Sequence, residues 1–338
     1  MQPRRILVRL PSWVGDAVMA TPALRALRLA HPDAWIGAEG RPALADLLAG
    51  LPSFDAFLPD ASRGLLARTR ALRAARADWA VLLPDSPRAA LAPFFARIPR
   101  RAGYARDPLR RLLLTDALPP PREAGRRAPV SMIERYLRVT RSLGCPDQGN
   151  GLELRVEPEA GERVAKDLAR RGAPEDARVL LVTPGAAFGT SKLWPPEHFA
   201  RACDALARRH DLLPVLAPAP GEVAIAREVA ARMQERALVV ASPEATLGEL
   251  KALVSRASLL LTNDTGPRQI AIALGRPAVV LMGPTDPRHT AHHLERQRVL
   301  REDVPCSPCH HRTCPIDHRC MTRLAPERVL AAAEELLA

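Results

Sequence analysis

The chain reads as an α/β protein made of two doubly wound halves, and three observations predict this. Short apolar runs alternate with Ala/Leu/Arg-rich amphipathic segments, the pattern of βα units on a mainly parallel sheet. The alternation breaks once, over residues 145–160, where Pro, Gly and Asn cluster, and then restarts. At 338 residues the chain is too long for one ordinary domain and suits two.

In the first half, Ile6 to Leu10 reads as a strand, and Ala17 to Ala30 as a helix with Leu24 and Leu27 on one face. Trp35 to Ala38 and Phe54 to Leu58 are short strands, Arg63 to Arg76 is a helix and Trp79 to Leu83 a strand. Residues 97–127 are rich in Arg and Pro and lack a clean period, so they read as surface loops with short elements. Ser131 to Leu143 is a helix that Gly144 closes. In the second half, the helices are Arg163 to Arg171, Phe199 to Arg209, Val223 to Arg232, Leu247 to Ala257 and Arg268 to Leu274. They alternate with strands Val179 to Thr183, Leu212 to Leu216, Leu238 to Ala241, Leu259 to Thr262 and Ala278 to Met282, and a last helix starts at Pro326. Two such halves are expected to bind a ligand in the crevice between them, at the carboxyl ends of the strands.

Composition narrows the class. Apolar residues make up 47% and charged residues 25%, a globular balance rather than a disordered one. No apolar run reaches the roughly 20 residues of a membrane span, and the apolar stretch of MQPRRILVRLPSWVGD is broken by Arg9 and Pro11, unlike a secretory signal. A cytoplasmic protein is expected. There are 49 basic residues against 37 acids, a net charge of +12, which fits an anionic partner as well as it fits a compositional habit. Aromatics are only 4% and no basic run alternates with them, so a stacking surface for single-stranded nucleic acid is not expected. All but three of the basic residues are arginine. The lysines, Lys166, Lys192 and Lys251, stand where a compact ammonium suits better than a planar fork.

Five motifs carry candidate chemistry. Leu10-Pro11-Ser12-Trp13-Val14-Gly15-Asp16 follows the first strand and is neither a dinucleotide fingerprint nor a Walker loop. It places the carboxylate of Asp16 at a strand-end crevice, although a plain helix cap would read the same. Pro184 to Pro195 runs through Gly189, Thr190 and Ser191 to Lys192, which is what a phosphate cradle needs: close backbone approach, hydroxyl donors and one point charge. Thr262-Asn263-Asp264-Thr265-Gly266-Pro267 ends a strand and opens a helix whose first amides suit an anion, and Gly283 to Pro287 is a further strand-end loop beside it. Glu222 starts a helix after another strand, where it could accept bonds from ribose hydroxyls or simply be solvated. Lastly, Cys306, Cys309, Cys314 and Cys320 form a C-x2-C-x4-C-x5-C run with His310, His311 and His318 between them. A structural zinc and two local disulfides both satisfy that spacing. Cys145 and Cys203 stand apart and read as buried thiols.

Taken together, ILVRLPSWVGDAVMATPALRALRLAHPDAWI, GTSKLWPPEHFARACDAL and NDTGPRQIAIALGRPAVVLMGPTDP resemble glycosyltransferase family 9, the ADP-heptose:lipopolysaccharide heptosyltransferases, and most of all the heptosyltransferase II type. The resemblance covers nearly the whole chain in the right order. It implies a GT-B fold with two Rossmann-like domains facing a cleft. The acceptor domain would span residues 1–155 and the ADP-sugar domain 156–322, with the helix of residues 323–338 packing back on the first. It implies an inverting transfer of heptose from ADP-heptose to a phosphorylated lipid A–core acceptor at the inner-membrane surface, by a monomer that needs no metal for catalysis. It implies that Asp16 is the catalytic base and that Lys192, with Thr190 and Ser191, contacts the donor diphosphate. It also implies that Asp264, Thr265 and Gly266 form the phosphate-binding helix start, and that Glu222 meets the ribose. The family usually carries His where this chain has Gln269, which donates a hydrogen bond but takes up no proton near neutral pH. The family gives the cysteines no role. The basic stretch at Arg97, Arg100, Arg101, Arg106, Arg110 and Arg111 reads equally as an acceptor-facing surface and as a solvated Arg-rich one. The rival readings are a transferase or 2-epimerase for another nucleotide sugar, a weakened nucleotide-sugar-binding homologue suggested by Gln269, and a nucleic-acid binder suggested by charge alone.

Overall fold

The computed structural model describes residues 2–60, 64–123, 126–241 and 245–338. It divides into two compact units, Met1–Glu153 with Arg288–Thr290, and Leu154–Pro287 with Ala291–Ala338.

The first unit is built on six parallel strands: β1 (Arg5–Arg9), β2 (Trp35–Gly40), β3 (Ala56–Pro59), β4 (Trp79–Leu82), β5 (Arg100–Tyr104) and β6 (Asp116–Leu118). They lie in the order β3-β2-β1-β4-β5-β6. A small antiparallel pair follows, β7 (Arg122–Glu123) and β8 (Arg126–Arg127). The second unit repeats the plan with β9 (Arg178–Thr183), β10 (Leu212–Leu216), β11 (Leu238–Val239), β12 (Ala257–Asn263), β13 (Ala278–Leu281) and β14 (Gln297–Leu300). Its order is β11-β10-β9-β12-β13-β14, again all parallel. Each sheet is α/β and doubly wound. Strand order reverses between β1 and β4 in one and between β9 and β12 in the other, so loops leaving those pairs part from each other and open a crevice within each sheet's edge of loops. The central strands are apolar runs such as Ile6-Leu7-Val8 and Leu180-Leu181-Val182, buried on both faces as parallel strands must be.

Several sequence expectations need correcting. The helix read over Ala17 to Ala30 is two helices, Val14–Met19 and Thr21–Ala30, because Pro22 cannot continue the first but suits the opening turn of the second. The helix read from Arg63 begins at Gly64 among the described residues, and Arg63 lies outside them. Residues 97–127 are not mainly loop: they supply β5, β6 and a helix, Pro108–Leu113, and residues 124–125 lie outside the described set. Three of the arginines there are engaged within the fold. Arg110 is fully buried and donates to the carbonyls of Tyr104 (2.6 Å), Pro84 (2.6 Å) and Ser86. Burial pushes its guanidinium down to about 10. Arg100 bonds Asp116 at 2.8 Å and stacks on Trp79, and Arg101 donates to the Leu113 carbonyl at 2.8 Å. Helices Leu44–Leu48 and Pro87–Phe95 and the half-polar edge strand β14 carried too little period to be read.

The last helix is Pro326–Leu337. It belongs to the second unit, where Val329, Leu330, Ala332 and Ala333 join the core formed by Phe199, Leu206 and Leu281. Arg201–Glu327 (2.6 Å) and Arg298–Glu335 (2.7 Å) tie its outer face. The helix Met132–Ser142 ends as expected: Gly144 has φ +84°, and Cys145 N–H reaches the Thr140 carbonyl at 3.1 Å, a Schellman closure.

Candidate active site

In the second unit four strand-end loops carry the predicted binding residues. Asp264 follows β12 and is 9% exposed. Lys192 arrives from the turn after β9 and donates to both the Asp264 carboxylate (2.8 Å) and its carbonyl (2.7 Å). Arg268, one turn along the helix Gly266–Ala273 and 1% exposed, meets the other carboxylate oxygen at 3.2 Å. Thr285, from the loop after β13, donates its hydroxyl at 2.8 Å. Burial alone would raise the Asp264 carboxyl, but the charges of Lys192 and Arg268 and the bonds from Lys192 and Thr285 outweigh it and hold Asp264 below the usual carboxylate range. Two cations thus flank one anion, and the helix start beside them adds its positive end.

The loop is braced on all sides. Thr190–Lys192 forms a single 3-10 turn. Gly189 precedes it at φ +152°, and a Cβ there would run into the Arg312 carbonyl, so both conformation and contact require glycine. Trp194 is buried against Phe199 and donates its indole N–H to the Leu324 carbonyl at 2.9 Å. Asn263 donates to the Pro184 carbonyl at 2.6 Å, and Thr183 and Thr262 share a hydroxyl bond of 2.6 Å, which locks β9 to β12 below the crevice. Glu222, after β10, lies against Gly185 so closely that a Cβ there would overlap its carboxylate. Burial raises its carboxyl, and backbone N–H bonds from Ala219 and Ala186 oppose the rise. Gln269 is buried on the same helix turn as Arg268. Lys192, Asp264, Thr265, Gly266 and Glu222 therefore share one edge of the second sheet. Ser191 is turned the other way: its hydroxyl donates to the His311 carbonyl at 2.5 Å.

Arg268 was not singled out from the sequence, and Thr285 only as part of the Gly283 to Pro287 loop. Arg268 could have been found, since Asp and Arg four apart at a helix start are natural partners. The other two lysines bear no relation to this site: Lys166 pairs with Glu162 at 3.6 Å on the surface, and Lys251 is buried in the helix Leu247–Arg256.

In the first unit, Asp16 sits at the matching position, after β1 and beside the β1/β4 reversal. It is not the helix cap, which is Trp13, but lies in the first turn of Val14–Met19 and is partly exposed. Tyr136, buried on the helix Met132–Ser142, is pushed well above the usual phenol range by burial first and by the Asp16 charge second.

All four clustered cysteines are free, as are Cys145 and Cys203, which are buried as expected. Among the described residues no three His, Cys, Asp or Glu side chains are gathered tightly enough to hold a metal ion. Burial, and then the other three thiols of the cluster, push Cys320 up to about 11.

A family model described as glycosyltransferase family 9 (heptosyltransferase) matches residues 65–319. "Lipopolysaccharide heptosyltransferase 2" of Salmonella typhimurium is 29% identical over 98% of each chain. The solved structure of Escherichia coli ADP-heptose lps heptosyltransferase II shares 28% identity, with a TM-score of 0.82 over 98% of each chain. That of the family 9 glycosyl transferase from Veillonella parvula superposes with a TM-score of 0.84 at 24% identity, covering 99% of this chain and 97% of the other. The fold of two parallel six-stranded sheets matches these GT-B structures.

Proposed function

Because the chain belongs to glycosyltransferase family 9, we propose that it transfers heptose from ADP-heptose to the inner core of lipopolysaccharide. The relatives' printed names supply the sugar, the nucleotide and the acceptor class. The Lys192–Asp264–Arg268 constellation at the β9/β12 reversal is the observation that carries the reading, because a buried, pre-paired cation beside a helix start suits a diphosphate.

In this reading the second unit binds ADP-heptose. Lys192 and the amides at Thr265 and Gly266 stabilise the diphosphate as it leaves, and Glu222 accepts from the ribose. Gln269 donates a neutral hydrogen bond where the family's usual His could carry charge. Asp16 takes the proton from the acceptor hydroxyl, which attacks the anomeric carbon on the face opposite ADP and inverts it. Asp16 is a weak base, so most of the barrier falls through leaving-group stabilisation.

The membrane-embedded acceptor calls for a docking face, and the first unit has a candidate. No helix among the described residues is long and apolar enough to cross a membrane. Three neighbouring helices, Gly64–Ala74, Pro87–Phe95 and Pro108–Leu113, contain no acidic residue. They hold six of the ten large apolar side chains that stand exposed among the described residues, Leu66 and Leu112 at 76% each. Exposed Arg70, Arg97, Arg106 and Arg111 lie on or beside them. Apolar tips among arginines match the surface of an anionic bilayer. This face replaces the loop surface read from the sequence, since Arg100, Arg101 and Arg110 are engaged within the fold.

Calorimetric titration with ADP-heptose beside UDP-, GDP- and CDP-sugars tests the donor assignment. Selective binding of ADP-heptose is expected, weakened by about 2 kcal/mol in Lys192→Ala, the scale of a hydrogen bond to a charged group. Preference for another nucleotide would mean that the fold is shared and the donor is not.

A further inference from the structure

Cys306, Cys309, Cys314 and Cys320 all line one cavity of about 300 Å³, yet no three ligating side chains among the described residues close on a single point. From this pair of facts we infer that the cavity seats an iron–sulfur cluster held by the four thiolates. A lone zinc ion needs all its sulfurs about 2.3 Å from one centre. A polynuclear cluster carries its cysteines on the outside of a body several atoms wide, and four thiols spread around a void are what it requires. The void is ample, since one water needs only about 10–15 Å³ of such space. His311 and His318 also line the cavity, and His318 Nε2 is engaged with the Ser191 carbonyl at 2.7 Å, so thiols are the majority of the donors and the four cysteines the set we assign.

The surrounding chain gives a second, independent reason. Between β14 and the helix Arg319–Thr322, residues 301–318 form no helix or strand, and Val304 is the one buried residue among them. Apolar packing does not explain why so long an irregular segment holds a single path. A ligated cluster would, because its binding free energy becomes folding free energy. The segment in turn braces both loops of the candidate diphosphate site. Ser191 N–H donates to the Arg312 carbonyl at 3.0 Å, and the amides of Cys309 and His310 donate to the Pro284 carbonyl at 3.1 and 2.9 Å. Ser307 donates its hydroxyl to the Gly283 carbonyl at 2.7 Å, one loop with Thr285. The cluster is thus a positioning centre for the Lys192 and Thr285 loops, and no electron enters or leaves during transfer.

The full chain, purified without oxygen from iron-supplied cells, should carry about four iron and four acid-labile sulfide per chain. It should be brown and bleach in air, since Cys306 is exposed. Zinc, iron without sulfide, or a colourless chain that takes up no cluster when given ferrous iron and sulfide overturns the inference. Cys309→Ser and Cys314→Ser should each lose the iron. To separate loss of the cluster from loss of fold, the wild-type protein is stripped with an iron chelator, and its affinity for ADP is measured before and after. Affinity is expected to fall about tenfold, within the usual range of site-to-site coupling, and to return on reconstitution; an unchanged affinity removes the positioning role. The cluster inference depends on the donor reading only for this last step. If ADP does not bind at all, the donor assignment fails, while the iron and sulfide content still decides the cluster.

Discussion

The two units share one strand order and differ in what they place at the reversal. At β9/β12 the second unit holds Lys192, Asp264 and Arg268 already paired and largely buried, in a loop braced by Trp194, Gly189 and Asn263. At β1/β4 the first unit offers Asp16, partly exposed, above buried Tyr136. The same topology therefore supports two kinds of site. One is electrostatically prepared before any ligand arrives, as stabilising a leaving anion demands. The other holds two carboxylates, Asp16 after β1 and Asp85 after β4, of which Asp85 is paired with Arg135 at 2.8 Å.

Substitutions can break that contrast. The largest effect is expected from Asp16→Asn, which should cut transfer by roughly 10²–10⁴, the usual contribution of a general base, while leaving donor affinity unchanged in calorimetry. Equal loss of both would show that Asp16 belongs to donor binding. Asp264→Ala removes the shared anion and leaves Arg268 buried beside Lys192 with less compensation. Breaking a buried pair this way costs about 3–5 kcal/mol, to be read from denaturant midpoints, and a loss under 1 kcal/mol would show the constellation to be loosely solvated. The acid limb sharpens the same point. With its carboxyl held low, Asp264 gives its full stabilisation above the unfolded value of about 3.9, and loses it as pH falls through the lower folded value. Wild type should therefore shed this stability only at the acid end, a step that Asp264→Asn lacks. Leu66→Asp with Leu112→Asp should release the protein from anionic vesicles in sedimentation and leave soluble-donor affinity intact; continued sedimentation would move the docking face elsewhere. The smallest effect is expected from Gln269→His, which should raise turnover several-fold below neutral pH and little above it, because only the protonated imidazole adds charge.

Much of the fold was legible because parallel sheets write themselves as apolar runs: the central strands of both sheets lie within a residue or two of where periodicity put them. Edges were less legible. β14 is half polar and β5 begins with two arginines, so neither showed an apolar run, and only pairing with β13 and β4 makes them strands. At the site, spacing and the scarcity of lysine pointed to Lys192, and the helix-start motif pointed to Asp264. What the sequence could not show was that these two residues bind each other, 72 positions apart. Arg110 misled for a related reason. An arginine among arginines looks solvated, yet three backbone carbonyls left over by turning chain can draw it fully inside.

The bracing of the Lys192 loop has a consequence for the order in which the molecule is made. The loop's walls are Arg312, His311, His318 and Leu324, all contributed by the closing stretch of the chain. A ribosome that has finished β9 through β13 has produced Lys192, Asp264 and Arg268 together with the Asn263 and Thr183–Thr262 braces, but not the contacts to Arg312, His311, His318 and Leu324. If the site binds nucleotide sugar as proposed, the nascent protein should stay unable to sequester it until residues 311–324 emerge. A product truncated before Arg312 would be inert rather than a competitor for scarce donor.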